Sequence, residues 1–187
     1  MPTILVISGS PSPTSRTAKV LDLLAARLVA EGGHDVRRIA VRDLPPDALL
    51  GADVNHPAIL EVGAAIEAAD GIVVATPVYK AAYSGALKTL LDLLPQFALA
   101  GKVVLPLATG GTVAHVLAID YALRPVLSAM GAGHIVPGYF LLDRLIGTDA
   151  GGGIVLDDSA RAALDGVVGG FVGALDGRVP RPLARAA

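Results

Sequence analysis

The chain is expected to fold as a doubly wound α/β domain, a five-stranded parallel sheet with helices on both faces. Two observations lead there. Strand-like and helix-like segments alternate from one end of the sequence to the other. Among the strand-like runs, Thr3–Ser8 (TILVIS) and Gly71–Ala75 (GIVVA) are continuously apolar or β-branched, as strands covered on both faces must be.

After the first strand, Leu21, Leu24, Ala25 and Leu28 recur at helical spacing, and Gly32-Gly33 ends that helix. Asp35–Val41 is a more polar strand, suited to an edge, and Arg42–Asn55 with Pro45-Pro46 reads as a loop. Pro57 fits the first turn of a helix that buries Ile59, Val62 and Ile66. Gly71–Ala75 is the third strand. Ser84 is the expected N-cap of a helix with Leu87, Leu90, Leu91 and Leu94 on one stripe. Lys102–Ala108 is the fourth strand, Thr112 caps a long helix running to about Met130, and His134–Phe140 is the fifth strand. Gly147–Gly153 reads as a flexible surface loop and Ser159–Leu175 as the last helix.

A length of 187 residues suits one domain, read here as residues 1–177 followed by a flexible tail, Arg178–Ala187. Fifteen basic against seventeen acidic residues leave a net charge of −2, with no basic excess for nucleic acid. The absence of cysteine excludes disulfides, thiolate metal sites and cysteine nucleophiles. At 53% hydrophobic and 17% charged the chain is too apolar for disorder, and the low charge points to surface covered by other subunits. The longest uncharged runs, Val103–Ile119 and Pro125–Leu142, are broken by Pro and Gly, so no membrane span is expected. With no signal-type N-terminus, the expectation is a soluble cytoplasmic protein.

Ligands of open parallel sheets sit beyond the C-terminal ends of the strands. Three loops occupy that edge. The first, Ser8–Thr17, is neither GxGxxG nor GxxxxGK[ST], but offers six hydroxyls and Arg16 just before a helix N-terminus. Such a loop suits a phosphate monoester, as in flavin mononucleotide (FMN); taken alone it fits an ordinary Ser/Pro turn equally well. The second, Thr76–Gly85, holds two of the four tyrosines, Tyr79 and Tyr83, in a chain without Trp. A flavin ring needs such a flat amphipathic wall, although Tyr83 is better read as cover for the sheet edge. In the third, Thr109–Thr112, the pair Gly110-Gly111 lets backbone approach a planar ligand, a role shared with simple turns. His115 beyond it reads as structural.

Pro125 lies inside the long expected helix and cannot donate to the carbonyl of Tyr121, so the helix should kink or bulge there. Val113, Val116 and Leu117 are rotated from Leu123, Val126, Leu127 and Met130, giving one face for the sheet and one for a partner chain. A kinked core helix explains the same residues. The histidines, at 34, 56, 115 and 134, have no metal-ligand spacing, and neither GxSxG nor HExxH occurs.

The segments Ala75–Asp92 (ATPVYKAAYSGALKTLLD), Gly101–His115 (GKVVLPLATGGTVAH) and Asp120–Ala129 (DYALRPVLSA) resemble the NADPH-dependent FMN reductases, nearest to those of two-component alkanesulfonate monooxygenase systems. Gly9-Ser10-Pro11 with Ser15-Arg16 is similar as well; the likeness runs from about Ile4 to Ser128 and is loose after Gly147. It implies a flavodoxin-like fold, reduction of FMN by NADPH or NADH, and transfer of the reduced flavin to a separate monooxygenase acting on alkanesulfonates or other organosulfur compounds. It implies that Ser10, Ser15, Arg16 and Thr17 hold the FMN phosphate. Pro77, Val78 and Tyr79 would line the flavin, with Thr109, Gly110 and Gly111 beside its ring. Tyr121 resembles the extra residue that makes a π-helix at a tetramer interface (a dimer of dimers) and would act as a gate rather than an acid or base. Relatives often carry Arg where this chain has Ser12, which leaves Arg16 as the expected phosphate cation.

The rival enzyme reading is a quinone, azo-dye or chromate reductase that keeps its FMN. An electron-carrying flavodoxin fits poorly, since such carriers are strongly acidic around the flavin.

Overall fold

The computed structural model describes residues 1–177; the expected tail, Arg178–Ala187, lies outside the described residues. The parallel sheet is built from β1 (Thr3–Ser8), β2 (Asp35–Ala40), β3 (Gly71–Tyr79), β5 (Val103–Gly110), β6 (His134–Ile135) and β7 (Tyr139–Leu142). Its order is β2-β1-β3-β5-β6, and β7 continues beside β5 where β6 stops. This is the flavodoxin-like order, with its reversal of connection between β1 and β3.

Alternation along each central strand feeds two cores. Leu5, Ile7, Ile72, Val74 and Val104 face helices α3 (Pro57–Ala68), α4 (Gly85–Leu93) and α5 (Arg124–Ala129). Ile4, Val6, Val73, Val103 and Leu105 face α1 (Arg16–Gly32) and α6 (Asp158–Asp176). Burial on both faces is the reason these runs are continuously apolar.

Local signals end the elements as expected. Ser15 caps α1, its hydroxyl accepting from Ala18 N–H, and Gly33 closes it at φ +60°, its N–H on the carbonyls of Leu28 and Val29. Ser84 caps α4 through Leu87 N–H, and Pro57 opens α3 behind His56, whose Nδ1 accepts from Ala58 N–H. Gly71 opens β3 where a Cβ would stand 2.7 Å from Phe171 Cζ, so the fully buried ring packs directly on backbone.

Besides the long helix after Thr112, four segments differ from expectation. The loop after β2 contains a 3₁₀ turn, Val41–Asp43, and α2 (Pro46–Leu50), with Ala48 buried. The third strand runs on to Tyr79 and folds back as β4 (Ala82–Tyr83). The fifth strand is split into β6 and β7. The glycine-rich stretch after Ile146 is the turn of a hairpin, β8 (Ile146–Thr148) with β9 (Ile154–Leu156), anchored by buried Ile146 and Leu156. Each depends on pairing or burial across the chain, which local composition does not encode.

The long helix expected from Thr112 is broken into a 3₁₀ turn (Val113–His115), a π-helical turn (Ile119–Leu123) and α5. Arg124 N–H reaches back to the carbonyl of Ile119, five residues away, and Pro125 falls in the first turn of α5, where a missing N–H costs nothing. The bulge expected from Pro125 is therefore present, with Tyr121 at its centre.

Replacing Phe171 by Ala removes the ring that closes the second core over Gly71. It should lower stability by about 3–5 kcal/mol, measured by urea unfolding.

Candidate functional site

The C-terminal ends of β1, β3 and β5 are stitched together by buried polar groups. Gly9 N–H donates to Ala75 O at 2.7 Å. Ser84, with no exposed surface, donates its hydroxyl to Gly9 O while accepting from Leu87 N–H at 3.1 Å. Its own N–H donates to Thr76 Oγ1 at 2.9 Å, and Thr76 in turn donates to Pro77 O. Gly9 must be glycine, since a Cβ there would lie 2.7 Å from Leu87 Cβ. The third loop is tied to the first by a 2.6 Å hydrogen bond between the hydroxyls of Thr17 and Thr109.

These ties frame a cavity of about 380 Å³, within the size range of small-molecule sites. All ten residues expected at a cofactor meet there: Ser10, Ser15, Arg16 and Thr17; Pro77, Val78 and Tyr79; Thr109, Gly110 and Gly111. Ser10 accepts from Ser12 N–H at 3.3 Å and Ser12 Oγ from Thr14 N–H at 3.2 Å, so the first loop folds on its own hydroxyls. The second loop is a two-residue hairpin turn in which Lys80 and Ala81 both have positive φ, 50° and 64°. Such a turn favours Asn or Gly; here non-glycine residues hold the strained conformation beside the rim. A Cβ on Gly110 would strike Phe140 Cζ at 2.7 Å, whereas one on Gly111 would meet nothing within 4 Å. Gly111 thus faces open space, where a flat group can approach backbone.

Tyr121 stands apart from the cavity lining, a residue 77% exposed on the π turn. That turn is nevertheless joined to the cavity wall, because Ile119 packs with Ala108, Phe140 and Val78. Val113, Val116 and Leu117 are exposed beside it, while Leu123, Leu127 and Met130 are buried on the sheet with Val126 partly buried among them, so the two sets of residues lie on different faces. Tyr139 shares a small void with Thr17 and Thr109; burial, then the charge of Asp157, pushes its phenol above the usual range, which makes it a poorer proton donor.

Two charged neighbours of the site went unread in the sequence. Asp143, directly after β7, lines the cavity with its carboxylate 3.7 Å from Arg16 Nη1. Arg42, just past β2, donates from Nη1 to Ser12 O at 3.0 Å and bolts the first loop to the second strand end. The strand-end rule would have found both had it been applied to all five strands. Ser12 and Thr14 also line the cavity.

A larger hollow, about 750 Å³, lies at the opposite edge of the sheet between α3 and the end of α4, lined by Leu60, Leu93 and Phe97. Lys102 reaches it, but its ammonium caps the carbonyls of Glu67 and Ala69 at 2.6 Å. It sits at the N-terminal strand ends, away from the loops where ligands of such sheets bind.

A model of the NADPH-dependent FMN reductases matches residues 2–145. The chain belongs to this family. An FMN reductase (NADPH) of Escherichia coli K12 is 52% identical over 142 residues, 75% of this chain and 73% of that protein. The NADH-dependent FMN reductase SfnF of Pseudomonas putida is 37% identical over 138 residues, 72% and 73% of the two chains. The solved apo form of the NADH:FMN oxidoreductase EmoB matches with TM-score 0.85 and 42% identity over 100% of both chains. Among the described residues no helix is long and apolar enough to cross a membrane, and no cluster of His, Asp and Glu suits a metal ion.

Replacing Ser84 by Ala strips Leu87 N–H and Gly9 O of a buried partner at once. We expect a loss of about 2 kcal/mol in urea unfolding, well beyond that of a surface serine.

Proposed function

We propose that the cavity binds FMN for reduction by NADPH, with NADH as a second reductant, and that reduced FMN leaves for a partner flavin-dependent monooxygenase. The single observation behind this reading is the convergence of ten residues from three loops on one cavity at the sheet's reversal point, in a chain of the FMN reductase family. The residues present fit the group. Ser10, Ser15 and Thr17, with the guanidinium of Arg16 and the start of α1, suit a phosphate dianion. Pro77, Val78 and Tyr79 form a wall for a planar ring, and Thr109, Gly110 and Gly111 bring backbone to its edge.

When bound, FMN supplies the ring that accepts hydride from the nicotinamide. The chain's own contribution is orientation: the hydroxyl loop anchors one end, the Tyr79 hairpin and the Gly110-Gly111 turn set the ring plane, and the buried Ser84 and Thr17 bonds keep the three loops in register. No side chain in the cavity is assigned as a general acid or base.

Tyr121 is read as a gate. Its exposed ring and the bare faces of Val113, Val116 and Leu117 suit burial against other copies in a homotetramer, and Ile119 couples that contact to the cavity wall. A nicotinamide-dependent flavin supply fits the cytoplasm.

Two outcomes are expected. Flavin-stripped protein should oxidise NADPH in air at a rate that saturates with added FMN. Activity with a quinone only after one FMN is rebound, and none that depends on free FMN, would transfer the assignment to a bound-flavin reductase. Replacing Tyr121 by Ala should change flavin retention or the kinetic order in steady-state assays; a variant matching the parent in both removes the gating role.

A further inference from the structure

Among the described residues that line the cavity, Arg16 is the only cation and Asp143 the only carboxylate. The two are not independent. Asp143 Oδ2 lies 3.7 Å from Arg16 Nη1, inside ion-pair range but too far for a hydrogen bond. The contact therefore holds the guanidinium by charge and leaves its donor fork free. Both side chains reach water, at 59% and 35% exposure, so the pair is of the weak class that a better anion displaces.

The backbone that carries Asp143 cannot withdraw when that happens. It follows Leu142, which is held opposite Gly110 by the pairing of β7 with β5. It then enters a 3₁₀ turn closed by Ile146 N–H on its own carbonyl. Its backbone is thus fixed at the end of β7, and from there the carboxylate reaches to 3.7 Å from Arg16 Nη1 of the hydroxyl loop.

We propose that Asp143 sets how long flavin stays, by competing with the phosphate for Arg16 and by repelling the phosphate once it is bound. This rests on the FMN reading above. A phosphate takes the guanidinium with two parallel hydrogen bonds, which the 3.7 Å carboxylate contact does not make, so binding still proceeds. The bound dianion then sits near a negative charge carried on a fixed backbone, and release is hastened. Such an arrangement weakens phosphate-bearing flavin selectively, without touching the ring contacts. It gives a flavin that passes through the site rather than resting in it.

Apo-protein is titrated with FMN and with riboflavin, which lacks the phosphate, following quenching of flavin fluorescence. The chains are the parent, Asp143→Asn, Asp143→Ser, Arg16→Gln and the double variant Asp143→Asn/Arg16→Gln. The two Asp143 variants should bind FMN about fivefold more tightly, the scale of a partly exposed charge pair. Riboflavin affinity should stay within about twofold, and the gain should vanish on the Arg16→Gln background because the competed cation is gone. Unchanged or weaker FMN binding in both Asp143 variants overturns the proposal, since Asp143 would then be preorganising Arg16. An equal gain for both flavins overturns it too, since the effect would lie at the ring. If the parent binds FMN no better than riboflavin and Arg16→Gln changes neither, the phosphate assignment itself fails and the proposal with it.

Discussion

The three loops of the site are held by a short run of buried hydrogen bonds centred on Ser84. Its hydroxyl caps α4 and reaches the carbonyl of Gly9, and its N–H rests on Thr76. One residue thus joins the turn after β1, the end of β3 and the start of α4. The arrangement depends on Gly9, because only a residue without Cβ lets the first loop pass so close to Leu87. With that crossing made, the Thr17–Thr109 bond brings the third loop into line. Buried polar groups of this kind are costly when unpaired, so the network tolerates one geometry.

Around this rigid frame the charges are sparse and compensated. Arg16 faces Asp143, and Arg42 serves the first loop from behind through the carbonyl of Ser12 while its Nε lies 3.3 Å from Asp43. On the proposed reading, in which reduced flavin leaves the site, a cavity lined mainly by hydroxyls and backbone suits release better than a cluster of cations would. The strained turn at Lys80-Ala81 keeps Tyr79 at the rim. Ile119 ties the same wall to the π turn and its exposed apolar face.

Much of the fold was legible because its causes are local. Strands buried on both faces need continuous apolar runs, and Thr3–Ser8 and Gly71–Ala75 are such runs. Helix ends need caps and starters, and Ser84 and Gly33 were readable as caps and Pro57 as a first-turn residue. Pro125 removes one N–H, and the bulge at Tyr121 follows from that single missing donor. The loops of the site were legible for a related reason: strand order in a parallel α/β sheet dictates which edge binds.

Other features were decided only when distant segments met. Asp143 is an ordinary acidic residue in the sequence and a cavity wall only because β7 pairs with β5. Arg42 serves the first loop because β2 lies beside β1. Ile146–Thr148 and Ile154–Leu156 become strands by pairing with each other around glycines that read as a loop. Propensity, capping and periodicity act over a few residues, so the sequence by itself determined the main strands and helices, their order and the three loops that line the cavity. Charge pairs and edge strands take their meaning from neighbours tens of residues away, and those only the tertiary structure decided.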